Sequence, residues 1–103
     1  MARVVISDEA SDDEAGILIA LNMVAGLRTA AEYRGRFRGL YDRLAAHPAI
    51  GAPRPALGRD IRIGIVPPYI ILYRYTEDDE TVTVLRIVHG RRRITGKLLS
   101  GSS

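Results

Sequence analysis

The sequence predicts an α+β domain: a helical hairpin packed on a small antiparallel sheet, in the order β-α-α-β-β-β. Three observations predict it. Tyr33, Phe37, Leu40, Tyr41 and Leu44 recur at i, i+4, i+7, i+8 and i+11, a helical stripe. A second apolar stripe precedes it after a short link. Three β-rich runs separated by turn residues then follow, as in a meander.

Residues 2–7 read as a short strand, with β-branched Val4, Val5 and Ile6. Ser7 can cap a helix starting at Asp8, and Ser11 with Glu14 forms an alternative capping box. The five acids of residues 8–14 suit the positive end of the helix dipole. Ile17, Leu18, Leu21, Val24 and Leu27 supply the apolar stripe, and Gly26 weakens its end. Thr29 and Glu32 form a capping box for the second helix, which Pro48 stops. Residues 48–60, with three prolines and two glycines, make a restricted loop. Ile61, Ile63 and Ile65 alternate along a half-buried strand, and Pro67-Pro68 turns the chain. Residues 69–75 are apolar on both faces, as in a central strand. Glu77–Glu80 form the next turn, residues 81–89 the last strand, and a basic tail ends the chain.

At 103 residues the chain suits one domain, taken as residues 1–99, with 100–103 a flexible tail or expression remnant. It contains no cysteine and two histidines, which excludes disulfides, thiol catalysis and cysteine-based zinc sites and disfavours a bound metal. No cofactor is expected. No run reaches the roughly 20 apolar residues of a membrane span, and the N-terminus lacks a signal-peptide pattern, so a cytoplasmic protein is expected. The serines lie at termini or a helix cap, and neither a P-loop nor G-x-G-x-x-G occurs. No catalytic residue is assigned.

Fourteen of the fifteen basic residues are arginine, suited to carboxylate, phosphate and protein surfaces. Arg34, Arg36, Arg38 and Arg43 form a middle group. From Arg86 onward there are five basic residues and no acid. Arg91-Arg92-Arg93 repel one another unless a partner or acids compensate. Arg86 shares an apolar strand face with Val82, Val84 and Val88, which is costly unless it is paired or lines a groove. His47 suits a helix C-terminus. His89 either packs locally or acts as an acid or anion ligand among cations. The pI near 9.7 invites a DNA-binding reading, but the basic residues are scattered among acids.

Pro48-x-x-Gly51-x-Pro53-Arg54-Pro55-x-Leu57-Gly58, then Ile61-Arg62, then Pro68-Tyr69-Ile70-Ile71-Leu72-Tyr73-Arg74, then Val84-Leu85-Arg86-Ile87-Val88-His89-Gly90-Arg91-Arg92 together resemble ParE toxins of the RelE/ParE type II toxin–antitoxin superfamily. The resemblance implies the same β-α-α-β-β-β fold and a ParD-like antitoxin. That antitoxin would be a ribbon-helix-helix protein whose C-terminal segment folds on the toxin. It would meet the DNA itself and form a hetero-oligomer with the toxin. Its docking surface would be the exposed part of the helical hairpin and its seam with the sheet, including Tyr33, Arg34, Phe37, Arg38 and Tyr41 insofar as these are not wholly buried. The implied target is DNA gyrase, inhibited without catalysis, and the C-terminal region implied in that role maps onto Arg86, His89, Arg91, Arg92 and Arg93. The alternative is a RelE-type ribosome-dependent mRNA endonuclease. Such enzymes combine clustered Lys/Arg on the sheet with a C-terminal Tyr, or a Glu with a C-terminal His-Tyr pair, whereas here the last tyrosine is Tyr75, Gly90 follows His89 and the only lysine is Lys97.

Overall fold

A computed structural model describes residues 1–92, Ile94 and 96–100. Strand β1 (Arg3–Ile6) leads into α1 (Asp8–Ala25) and α2 (Leu27–Ala46). A two-residue strand β2 (Ala52–Pro53) and a 3-10 turn (Pro55–Leu57) follow. Strands β3 (Ile61–Val66), β4 (Tyr69–Thr76) and β5 (Thr81–His89) then precede a short helix α3 (Gly96–Ser100). The sheet order is β1-β5-β4-β3-β2. The β3-β4-β5 meander is antiparallel as expected, but β1 pairs parallel to β5, so the five-stranded sheet is mixed. A chain entering by a strand and returning through two antiparallel helices puts its next strands back beside the first, and the parallel pairing follows from that return.

Ser7 performs the cap assigned to it: its Oγ accepts the Ala10 N–H at 3.1 Å and donates to the Leu85 carbonyl at 3.1 Å. The Thr29/Glu32 box is not used. Gly26, at φ 92, closes α1 through its N–H to the Asn22 carbonyl and also begins α2, with no side-chain cap. Because glycine tolerates this left-handed conformation, the link shrinks to one residue and α2 starts two residues before Thr29.

α2 lays Phe37, Leu40 and Leu44 on the sheet, against Val66, Ile71, Tyr73, Val82 and Val84. The helices cover the Gly64/Val66 face of β3, not the Ile61/Ile63/Ile65 face that the alternation suggests. Gly64 makes this fit, since a Cβ there would stand 3.0 Å from Leu40 Cδ2. Ile61 lies in a second cluster on the opposite face with Leu57, Leu72, Val88 and Leu98, while Ile65 is exposed. Both sheet faces are therefore apolar, and α3, where the sequence reads only a basic tail, covers the second. Its driving force is local: Ile94, Leu98 and Leu99 bring apolar side chains to that cluster.

The proline-rich loop is pinned by two strand residues. Tyr73 donates its hydroxyl to the Pro48 carbonyl and accepts the Gly51 N–H, both at 2.9 Å. The Arg62 guanidinium donates to the Ala49 and Gly51 carbonyls at 2.9 and 2.7 Å.

Candidate partner-binding surfaces

The register of β5 shifts beside Leu72 and Tyr73: Leu72 faces Arg86, but Tyr73 faces Val84. Leu85 is the extra residue of this bulge. Arg86 consequently shares the second face with Val88 and Leu72, and not the helix-side face with Val82 and Val84. Its guanidinium reaches the sheet edge beyond the end of β1. There Nε and Nη2 donate to the Asp13 carboxylate of α1 at 2.8 and 3.1 Å. The Asp13 carboxylate also accepts the Ile87 N–H at 2.9 Å, taking the place of the strand neighbour that β5 lacks there. Arg86 Nη1 makes a longer contact, 3.4 Å, to the Leu98 carbonyl of α3. The two side chains are 19 and 18 % exposed. The Asp13 hydrogen bond, outweighing burial, holds the Arg86 charge more firmly than usual. The structure thus gives Arg86 an internal partner and leaves little of it for an external one.

Past Arg86, β5 ends in an exposed turn. The Gly90 N–H bonds the Pro68 carbonyl at 2.8 Å, and the Arg92 N–H bonds the His89 carbonyl at 2.9 Å. His89 Nδ1 accepts the Arg91 N–H at 3.0 Å, so the proton of the neutral ring sits on Nε2. The His89 ring meets Tyr69 edge-on at 5.8 Å. His89, Arg91 and Arg92 are all exposed and close together. Arg93 lies outside the described residues.

The other group of expected contact residues divides. Phe37 has no exposed surface and belongs to the core, so it cannot be part of a docking surface on the folded chain. Tyr33 is half-buried, edge-on to Tyr69 at 5.7 Å, with the Arg36 guanidinium 4.8 Å over its ring. Tyr41 is half-buried and donates to Glu14 Oε1 at 2.7 Å; burial and that neighbour raise its pKa well above the ordinary tyrosine value. Arg34 and Arg38 are exposed on α2.

Sequence reading expects a docking surface on the exposed hairpin and its seam with the sheet, but names none of the apolar residues of α1 for it. From Ala15 to Ala25, α1 carries no charge. Only the row Ile17, Leu18 and Leu21 is half-buried, while Ile19, Met23 and Val24, with Leu27 at the start of α2, are 63, 82, 83 and 74 % exposed. A helix apolar all round is a helix to be covered all round, and that was the available signal. Grooves flank it on both sides. One, about 630 Å³, runs between Ile17, Leu21 and Val24 of α1 and Ile87, His89 and Arg92 at the end of β5. The other, about 350 Å³, lies between α1 and α2, with Leu18, Ile19, Leu27 and Arg34 on its walls. The first joins the apolar helix to the cationic turn. A larger cavity, about 710 Å³, lies among Arg59, Asp60, Arg62, Tyr75 and Glu77, and contains none of the expected contact residues. Among the described residues, no three His, Asp or Glu side chains converge on a metal-sized site, and no helix is long and apolar enough to cross a membrane.

Comparison with known proteins fits this arrangement. Residues 4–94 match the family model for the ParE toxin of the type II toxin–antitoxin system parDE. Toxin ParE3 of Caulobacter vibrioides is 33 % identical over 73 residues, 71 % of each chain. Among solved structures, the chromosomal ParDE toxin–antitoxin system from P. aeruginosa superposes with a TM-score of 0.72 at 19 % identity, over 86 % of this chain and 96 % of that one. The toxin–antitoxin complex RelBE2 from Mycobacterium tuberculosis gives 0.57 at 23 % identity, over 85 and 96 %. At those identities the structural likeness speaks for the fold alone, whereas the family model spans nearly the whole chain. The chain is a type II toxin and belongs to the ParE toxin family.

Proposed function

We propose that the chain inhibits DNA gyrase without turning over a substrate, and that a ParD-like antitoxin neutralises it by folding onto the helical hairpin. The observation that carries the reading is the groove between α1 and the end of β5, where an uncharged apolar helix and an arginine-bearing turn share one cleft. An amphipathic acidic segment lying there would bury Ile17, Leu21 and Val24 and set its carboxylates against Arg92. Tyr33, Arg34, Arg38 and Tyr41 would extend that contact along the hairpin. Phe37 would support it from beneath.

The gyrase-facing part would be the exposed turn of His89, Arg91 and Arg92, continued by Arg93. A non-catalytic role accords with the chemistry present. The Ser7 hydroxyl is spent on the helix cap and the Leu85 carbonyl. The second sheet face is filled by Leu57, Ile61, Leu72, Val88 and Leu98, where a nuclease would need clustered cations. The toxin would work in the cytoplasm, where gyrase and DNA are, with DNA contacted through the antitoxin in a hetero-oligomeric complex.

The test uses the purified chain with gyrase and, separately, with translating ribosomes. Expected are loss of supercoiling and intact mRNA, with supercoiling restored by the antitoxin. Cleaved mRNA with normal supercoiling would replace this reading by a RelE-type endonuclease.

A further inference from the structure

We infer that Asp13, acting through Arg86, is the positioning residue that sets the place of the 89–92 turn and of α3, and that Arg86 acts by this pairing and not by touching the target. The inference rests on the gyrase reading only for the purpose it gives the turn; the linkage itself is geometric.

Asp13 fixes the strand at Ile87, two residues before His89, by accepting its N–H at 2.9 Å. The same carboxylate holds Arg86 through two nitrogens, and the third nitrogen of that guanidinium faces the Leu98 carbonyl. Ile87 and Leu98 are thus both tied to one ion pair. Between the ties stand His89, Arg91 and Arg92. Adjacent arginines repel and favour an extended, mobile chain. What opposes that here is the tie at each end, together with the short bonds of Gly90 to Pro68 and of Arg91 to His89. The pair also bridges three layers, since Asp13 belongs to α1, Arg86 to the sheet edge and Leu98 to α3 on the far face. A bidentate guanidinium–carboxylate pair is directional, and at under one-fifth exposure it is little screened by solvent. A Lys at 86 would keep the charge and lose the fork.

Four variants of the full chain test this: Asp13→Ala, Arg86→Ala, both together, and Arg86→Lys. The first measurement is amide exchange under native conditions. In Asp13→Ala the amides of residues 90–92 and 96–99 should exchange at least tenfold faster, while those of Ile71 and Tyr73 in β4 stay at the wild-type rate. Uniform acceleration, or none, overturns the inference. The second measurement is the concentration that half-inhibits gyrase. Asp13→Ala and Arg86→Ala should each raise it by tenfold or more, the double variant by no more than either, and Arg86→Lys by less. Should Arg86→Ala lose potency while Asp13→Ala keeps it, Arg86 contacts the target and the positioning role is refuted. Should either alanine variant fail to fold by circular dichroism, Asp13→Asn with Arg86→Lys carries the same exchange comparison. A wild-type chain inert toward gyrase would sink the proposed function and leave the exchange result to judge the linkage.

Discussion

The two long helices have similar apolar stripes and opposite fates. α2 buries Phe37, Leu40 and Leu44 completely or nearly so and keeps its arginines outside. α1 buries only Ala10 fully, and its distal half leaves Ile19, Met23 and Val24 in solvent. The difference lies in what each helix has beneath it. α2 crosses the centre of the sheet, where Gly64 opens room for Leu40. α1 runs along the edge past the end of β1 and is held there by Asp13 on β5 and by Glu14 under Tyr41. Apolar surface on α2 therefore measures stability. Apolar surface on α1 is left uncovered by the chain's own fold, and under the proposed function that is where the antitoxin segment lies.

The largest expected effect tests the α2 half of this contrast. Phe37→Ala removes a ring with no exposed surface and should destabilise by about 3–5 kcal/mol, read as a lower urea midpoint at unchanged slope. A loss under about 1 kcal/mol would mean the ring is not closely packed, and would return Phe37 to the docking surface. Next is Gly64→Ala. The new methyl group would stand 3.0 Å from Leu40 Cδ2, so the leucine must shift by a few tenths of an ångström within the buried cluster, and about 1–3 kcal/mol should be lost.

How much of this was legible in the sequence depended on how far apart the interacting residues lie. The Ser7 cap, the α2 stripe and the β3-β4-β5 meander are local patterns, and each is found where the sequence puts it. Asp13 and Arg86 stand 73 residues apart, so their pairing left no spacing to read. The bulge at Leu85 inverted the side assigned to Arg86, because one inserted residue exchanges the faces of all that follow. The parallel pairing of β1 with β5 depends on the whole path of the chain. Of the site, the exposed residues His89, Arg91 and Arg92 were visible as a cluster at a strand end, whereas the groove that joins them to α1 exists only once the helix lies against that edge.

A third measurement uses pH. Burial raises the pKa of Tyr41, Tyr69 and Tyr73, with the Glu14 hydrogen bond adding to it at Tyr41. The folded chain therefore keeps these phenols protonated where the unfolded chain has begun to release them. Their contribution is complete below the ordinary tyrosine value of 10.0 and is lost as pH rises above it. The melting temperature should be level on the acid side of that value and fall on the alkaline side. Tyr41→Phe should flatten part of the fall and cost about 1 kcal/mol at neutral pH, through the hydrogen bond to Glu14. A Tyr41→Phe chain with an unaltered alkaline slope would show that the hairpin base does not govern it.

The smallest expected change in stability tests the α1 half. Met23→Gln and Val24→Gln replace side chains 82 and 83 % exposed by a good helix former, so stability should stay within about 0.5 kcal/mol of the wild type. Binding is where they should be felt. If an antitoxin segment covers this end of α1, each loses an apolar contact, and the pair together should weaken the complex by at least tenfold, about 1.4 kcal/mol, in calorimetric titration. The result to watch is the ratio of the two effects. Phe37→Ala should damage the fold and, in the fraction still folded, leave antitoxin affinity nearly intact; the α1 variants should do the reverse. If the α1 pair instead lowers the urea midpoint and spares binding, then Met23 and Val24 are covered within the free chain, and the contrast between the helices disappears.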